Sequence, residues 1–236
     1  QTMAALGRMT ATVAHEIRTP IVAIGGFAKR LSHEIRDRRA QRMLDIIRSE
    51  ALRLEETLDT VLFYVKPSQP QKRECNLNEL LETLSLYFAQ ESSETHIDMV
   101  FELDPNLPQV PLDDRQIRQV ILNVIQNSIH AMQDGGTLTI RTRLEGDQVV
   151  VEITDTGCGI PEEILPLIFK EFFTTKNKGT GLGLHVSYQI IKNHGGKIEV
   201  ESRVNQGTTV RIRLPLHPGS HPVEGGDKLG VVDERR

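Results

Sequence analysis

Residues 1–66 carry an apolar repeat that leaves few folds open to them. Leu6, Val13, Pro20 and Phe27 fall on one seven-residue series, and Ile17, Ile24 and Leu31 on its partner. After the charged connection SHEIRDRRA the repeat resumes, with Leu44, Ala51, Leu58 and Val65 alternating with Ile47, Leu54 and Val61. A sustained pattern of this kind belongs to two long amphipathic helices joined by a short turn. One helical hairpin buries two such seams poorly, whereas two copies forming a four-helix bundle bury both. The repeat therefore predicts a homodimer through residues 1–66. The other reading is a coiled coil packed against the rest of the same chain.

Pro20 interrupts this pattern inside AHEIRTP (14–20). It has no N–H to offer the carbonyl of Glu16, so the first helix is expected to bend there. KPSQPQK (66–72) holds two prolines among polar residues and ends the second helix. The expected organisation is a helical hairpin over 1–66, a linker over 67–74, a second domain over 75–216 and a disordered tail over 217–236.

In the second domain, residues 77–91 and 113–132 read as helices, the latter opening on an Asp pair suited to an N-cap. HIDMVFEL (96–103) reads as a strand and DPNLPQVP as a turn-rich connection. GTLTIRTRLEGDQVVVEITDTG (136–157) reads as a hairpin turning at EGD, and KIEVESRVNQGTTVRIRLPL (197–216) as another. A helix ends near 193 at HGG, a C-cap signal. Helices alternating with hairpin-linked strands predict an α/β sandwich, a mixed sheet with helices on one face.

Bulk composition narrows the partners. With 28 Lys+Arg against 32 Asp+Glu, the net charge is −4, so no basic excess argues for nucleic acid. Cys75 and Cys158 form no CxxC pair, which disfavours disulfide scaffolds and zinc sites and suits a reducing, cytoplasmic setting. No apolar run approaches the roughly 20 residues that span a bilayer. The chain opens on Gln1 rather than Met, which reads as a fragment whose full-length form has room for an upstream inner-membrane anchor.

Three short stretches carry chemistry. In DTGCGIP (155–161) a strand ends in Asp155, placed to accept a hydrogen bond from an exocyclic amine, and Gly157 and Gly159 allow a sharp turn close to a ligand. Alone, the stretch reads equally as a turn after an edge strand. GTGLGL (179–184) leaves backbone N–H groups bare at a helix start, an arrangement that favours anions, although glycine-rich helix starts also serve plain packing. It is neither a Walker A loop nor a GxGxxG fingerprint. NVIQN (123–127) places Asn123 and Asn127 on one helix face, opposite Val120, Ile121, Val124, Ile125 and Ile129. Such a pair can offer a carbonyl oxygen to Mg²⁺ or cap a buried strand end. KEFFTTK (170–176) adds aromatic anchors and the cation of Lys176 to a flap.

Taken in order, HEIRTP, NVIQN, DTGCGIP, IFKEFFTTK and GTGLGL resemble the H, N, G1, F and G2 boxes of the sensor histidine kinases of two-component signalling. The resemblance spans nearly all of residues 3–216. It implies a dimeric phosphotransfer hairpin followed by an ATP-binding domain of the Bergerat type, shared with gyrase, Hsp90 and MutL. It further implies that Asp155 contacts the adenine amine, Asn127 holds Mg²⁺ and Asn123 lines the same face near the phosphates. Gly157 and Gly159 would open the nucleotide loop. Lys176 would sit in the lid, and Gly179, Gly181 and Gly183 would border the triphosphate, with Ile160, Phe172, Thr180 and Leu182 completing the nucleotide contacts. His130 stands where the family often has Lys or Arg touching phosphate. The short lid resembles the nitrogen-regulation and sporulation-kinase branch, whereas Thr19-Pro20 resembles the osmosensor-type kinases.

Within that resemblance His15 is the nucleophile. A reference imidazole pKa of about 6.5 leaves it largely neutral at cytosolic pH. Glu16 would orient one ring nitrogen and take its proton. Thr19, four residues on, would align water against a phosphorylated response-regulator receiver domain, giving phosphatase activity. His33, His96, His185 and His194 read as structural or surface residues. The competing readings are a MutL- or Hsp90-like ATPase, an anti-sigma serine kinase, or a non-enzymatic signalling scaffold. The first two would lack the His-bearing hairpin, and intact Asn127, Asp155 and glycines weigh against the third.

Overall fold

The computed structural model describes residues 2–35, 37–85, 96–176 and 180–217. The tail expectation over 217–236 therefore lies outside the described residues from 218 onward, as do residues 86–91 of the helix expected over 77–91, and Gly179. For His15, Glu16 and His33 the backbone is described and the side chains are not. Two compact units divide between Ser68 and Gln69.

The first unit is a hairpin of α1 (Thr2–Glu34) and α2 (Arg38–Val65). Asp37 caps α2 by accepting from the Ala40 N–H at 2.8 Å, and the Gln41 amide donates to the Ile35 carbonyl at 2.8 Å, closing the turn. At the far end, the Lys66 N–H returns to the Leu62 carbonyl just before the first proline of the connection. The helix α1 runs through Pro20 as one continuous element. Arg18 on α1 pairs with Asp59 on α2.

Packing within one copy departs from the expected seam. Ile21, Ala28, Ala51 and Phe63 are buried, and Gly25 approaches Ala51 so closely that an added Cβ would lie 3.4 Å from its methyl. Ile21 and Ala28 each lie one position past the Pro20 and Phe27 series. The partner series itself stays out in one chain: Ile17, Ile24 and Leu31 are 44–52% exposed, as are Ile47 and Leu54 at 44% and 51%. The small residues let the two helices close on each other, and the larger residues form an uncovered apolar stripe.

The second unit is a two-layer α/β sandwich. Its five-stranded sheet has the order β2-β4-β5-β7-β6, with β2 (Ile97–Glu102), β4 (Gly136–Glu145), β5 (Gln148–Asp155), β6 (Lys197–Arg203) and β7 (Gly207–Pro215). The β2–β4 pair is parallel and the others are antiparallel, so the sheet is mixed as expected. Residues 77–85 form a helix, α3, and α4 (Asp114–Ala131) and α5 (Gly183–Asn193) follow.

Leu138, Ile140, Val151, Ile153, Ile198, Val200 and Ile212 turn from the sheet into the helical layer and are at most 2% exposed. The opposite face carries charge instead. Glu152 on β5 meets Arg141 and Arg143 of β4 on one side and Arg211 of β7 on the other, and Arg213 reaches Glu199 and Glu145. Burial works to raise the Glu152 pKa, but Arg211 and Arg143 outweigh it and hold it below the ordinary carboxylate range. Cross-strand pairs of this kind keep the uncovered face solvated while fixing register.

Two short strands escaped the sequence reading. Arg73–Cys75 (β1) lies partly in the segment read as linker, and Val110–Leu112 (β3) overlaps the end of the segment read as a connection; they pair antiparallel. Three residues are too few to show alternation, and Pro111 is tolerated because the ribbon is two-stranded. His194 is 2% exposed and joins two helix ends. Its Nε2 accepts from the Asp113 N–H at 3.0 Å while Nδ1 donates to the Ile190 carbonyl at 2.8 Å. That pattern requires the neutral ring, and burial correspondingly lowers its pKa.

Ile140→Ala, which empties a fully buried position in the central sheet, is expected to destabilise this unit by about 3 kcal/mol. Equilibrium urea unfolding monitored by circular dichroism measures it.

Candidate nucleotide site

The site is built outward from α4. Asp113 starts this helix by accepting from the N–H groups of Arg115 and Gln116, both at 3.2 Å. Val120, Ile121, Val124, Ile125, Ser128 and Ile129 then face the sheet. Helical periodicity leaves Asn123, Asn127 and His130 along the other side.

Asn123 is fixed first. Its Nδ2 donates to Ser187 Oγ at 2.9 Å, and Ser187 Oγ donates to the Gly183 carbonyl at 3.0 Å. The approach depends on Gly183, because a Cβ there would lie 2.3 Å from Asn123 Oδ1. Asn123 Oδ1 in turn accepts from Asn127 Nδ2 at 3.5 Å, a long contact that still orients the second amide. The Asn127 carbonyl oxygen is thereby directed outward, where Lys176 Nζ donates to it at 2.6 Å. Lys176 Nζ also lies 3.4 Å from His130 Nδ1. Desolvation of the amine lowers its pKa from the ordinary lysine value.

Asp155 forms a second centre at the end of β5, at 3% exposure. Its Oδ1 accepts from the Gly157 N–H at 3.0 Å and the Thr208 N–H at 3.1 Å, and the Ser128 hydroxyl also donates to the carboxylate. Burial raises its pKa above the usual aspartate value despite these three donors. Ser128 follows Asn127 directly, so α4 carries a residue for each centre. The loop after Asp155 packs beneath the end of α4, with the Cys158 N–H on the Ala131 carbonyl at 3.0 Å. Gly159 turns with φ 68°, and the Ile160 N–H is tied to Ser202 Oγ of β6 at 2.8 Å.

The flap begins and ends at one place. Phe172 is 62% exposed and adopts φ 60°, and an added Cβ on Gly181 would lie 2.4 Å from the Phe172 carbonyl carbon. Thr180 Oγ1 accepts from the Leu182 N–H at 3.4 Å, and Leu182 is buried at the start of α5. The structure thus brings Asn123, Asn127, His130, Lys176 and Gly183 together, and Asp155 with Gly157. Ile160 is tied to β6 through Ser202. Ser128, Ser187 and Thr208 were not singled out from sequence. Ser187 was legible as the residue four after Gly183 on one helix; Thr208 was not, because its role comes from strand pairing.

Among the described residues no group of three His, Cys, Asp or Glu side chains is placed to hold a metal. A Mg²⁺ ion here would have one protein oxygen, that of Asn127, and would draw its other ligands from phosphates and water, as this ion commonly does. The Lys176 amine is hydrogen-bonded to that oxygen.

Gly183→Ala forces a methyl against the Asn123 amide and is expected to cost about 1–3 kcal/mol. Thermal unfolding of the variant, set beside Gly26→Ala, where an added Cβ meets nothing within 4 Å, isolates the clash from the gain in helix propensity.

Comparison with known proteins agrees with this geometry. Residues 112–218 match the family model described as Histidine kinase-, DNA gyrase B-, and HSP90-like ATPase, and residues 5–70 match the His Kinase A (phospho-acceptor) domain. The chain is 34% identical to sporulation kinase E of Bacillus subtilis over 217 residues, 91% of this chain but 29% of that protein. It therefore spans under a third of that relative's length. Among solved structures, the nucleotide-free catalytic domain of histidine kinase ThkA is 38% identical with a TM-score of 0.58, covering 62% of this chain and 96% of that one. ThkA in complex with response regulator protein TrrA is 36% identical with a TM-score of 0.63, covering 93% and 64%. With a phospho-acceptor hairpin and an ATPase domain of this type in sequence, the chain belongs to the sensor histidine kinases of two-component signalling.

Proposed function

We propose that the chain is the catalytic core of a homodimeric autokinase that moves the γ-phosphoryl group of ATP to His15 and then to an aspartate of a response-regulator receiver domain. The observation that carries this reading is a pair of unlike centres that α4 serves through adjacent residues, Asn127 for one and Ser128 for the other. The buried Asp155 carboxylate suits an adenine amine, and the outward carbonyl of Asn127 suits a cation bound to phosphate. The match of residues 5–70 to a phospho-acceptor domain supplies the recipient.

In this account Asp155 accepts a hydrogen bond from the exocyclic amine, and the loop from Gly157 to Ile160 walls the base. Asn127 would hold Mg²⁺, which neutralises phosphate charge when bound. Asn123 keeps the Asn127 amide oriented, and the backbone at Gly181 and Gly183, before and at the start of α5, borders the phosphates. One imidazole nitrogen of His15 attacks the γ-phosphorus. The bond to the β–γ bridging oxygen breaks, ADP leaves, and the proton on the other ring nitrogen passes to Glu16. The phosphoryl group then moves from nitrogen to the receiver carboxylate. Thr19 is exposed one helical turn beyond His15, where its hydroxyl can align water for the reverse, hydrolytic activity.

The uncovered stripe of Ile17, Ile24, Leu31, Ile47 and Leu54 supports the homodimer, since a second copy buries it symmetrically. Among the described residues no helix is long and apolar enough to cross a membrane. We place this portion on the cytoplasmic side, with any inner-membrane anchor upstream.

Incubation with γ-labelled ATP and Mg²⁺ should give acid-labile, alkali-stable label that is lost in His15→Gln; acid-stable label contradicts the proposal. Ile24→Glu should convert the dimer to monomer in sedimentation velocity. Nucleotide affinity should fall as pH drops through the raised Asp155 pKa, because protonation removes the acceptor of the adenine amine. In the nucleotide-free protein the sign reverses. The protonated carboxyl is favoured by burial, and that stabilising contribution is lost as pH rises through the same value. Calorimetric titration with ADP across this range, compared with Asp155→Asn, separates the two.

A further inference from the structure

The bond between Lys176 and Asn127 has a consequence for how the site fills. Lys176 Nζ lies 2.6 Å from the one oxygen to which the amide row leads, and 3.4 Å from His130 Nδ1. That oxygen is held in place by a directional chain. Ser187 is donated to by Asn123, which is donated to by Asn127, so the Asn127 NH₂ is consumed inward and its carbonyl must face out. A lysine can only donate, so its partner here has to be that carbonyl. Among the described residues Lys176 has no carboxylate partner. Its contacts are a neutral amide and an imidazole, which hold an ammonium far less firmly than a carboxylate does.

We propose that Lys176 is the resident cation of the Asn127 site, and that loading of a metal–nucleotide is an exchange in which its ammonium gives up the Asn127 oxygen. The proposal rests on the functional reading above and concerns how that same site is regulated. Both cations use the lone pairs of one oxygen. Mg²⁺ would bind such a ligand at about 2.1 Å, which would leave no room for an amine on the same lone pair. Two positive charges a few ångströms apart also repel in a partly desolvated pocket. With no carboxylate among the described residues to hold it, Lys176 is a placeholder that keeps the oxygen hydrogen-bonded and yields it. When nucleotide arrives without metal, the same ammonium already stands where the phosphates need a cation.

This arrangement predicts an unusual mutant phenotype. In Lys176→Met, binding of metal-free ADP in EDTA should weaken about tenfold, because the substitute cation is gone. Binding of ADP at saturating Mg²⁺ should be unchanged or tighter, because nothing has to be displaced. The ratio by which Mg²⁺ enhances ADP affinity should therefore rise about tenfold or more over wild type. Isothermal titration calorimetry of the full chain with ADP, in EDTA and in Mg²⁺, measures both, and the ligand-free unfolding midpoint verifies that the variant folds.

A lysine that merely clamps phosphate would weaken binding equally in both conditions, and a surface lysine would alter neither. In either case the ratio stays at the wild-type value, which overturns the proposal. Asn127→Ala distinguishes this failure from failure of the site itself. If Mg²⁺ still enhances ADP binding in Asn127→Ala, the assignment of the cation position is wrong. If the enhancement is lost there and Lys176→Met matches wild type, only the exchange is wrong.

Discussion

Helices α4 and α5 meet across a row of polar side chains that exists only because Gly183 has no side chain of its own. A methyl there would stand 2.3 Å from the Asn123 oxygen, so any other residue would push the helices apart or turn the amide. With the gap closed, Ser187 anchors Asn123, Asn123 orients Asn127, and Asn127 presents a carbonyl outward. Each amide spends its donors inward and keeps an acceptor for the next partner. A partly buried polar chain of this kind is stable only when each link is satisfied. The outermost acceptor is the one that Lys176 meets, and it is where the proposed ligand cation would enter.

The same helix serves the other end of the site through Ser128, which bonds the Asp155 carboxylate beside the Gly157 and Thr208 N–H groups. One helix thus links the two acceptors, the Asp155 carboxylate and the Asn127 carbonyl, to which the proposal assigns a base amine and a cation. The core beneath it, with Val120, Ile121, Val124 and Ile125 of α4 and Ile153 of β5 all buried, holds that helix in place. The charged ladder lies on the far side of the sheet, and the helical layer that carries the site packs on the other side. In the hairpin the division of labour differs. Small residues at Gly25, Ala28 and Ala51 bring the two helices together, and the larger heptad residues remain uncovered for a second copy.

Much of this was legible from residues alone. Heptads gave the hairpin, alternation with glycine-bearing turns gave the two β-hairpins, and i, i+4 spacing put Asn123 and Asn127 on one face. The order of five motifs gave the family. What stayed hidden depended on tertiary placement. The β1–β3 ribbon is too short for any period to register. Thr208 reaches Asp155 only because β7 pairs with β5 at that point. Within one copy Ile21 and Ala28 are buried where Phe27 is exposed, a detail that the heptad series does not carry. Lys176 was read as a lid cation, but its bond to Asn127 joins segments 49 residues apart.

The account turns on the ATPase unit delivering a phosphoryl group to one nitrogen of one residue. Mass spectrometry of the chain after incubation with ATP and Mg²⁺, digested at neutral pH to preserve phosphoramidates, locates that bond directly. The account predicts a single phosphorylated peptide with the group on His15. Phosphate on a serine, threonine or another histidine, or unmodified His15 while ATP is consumed, would contradict it.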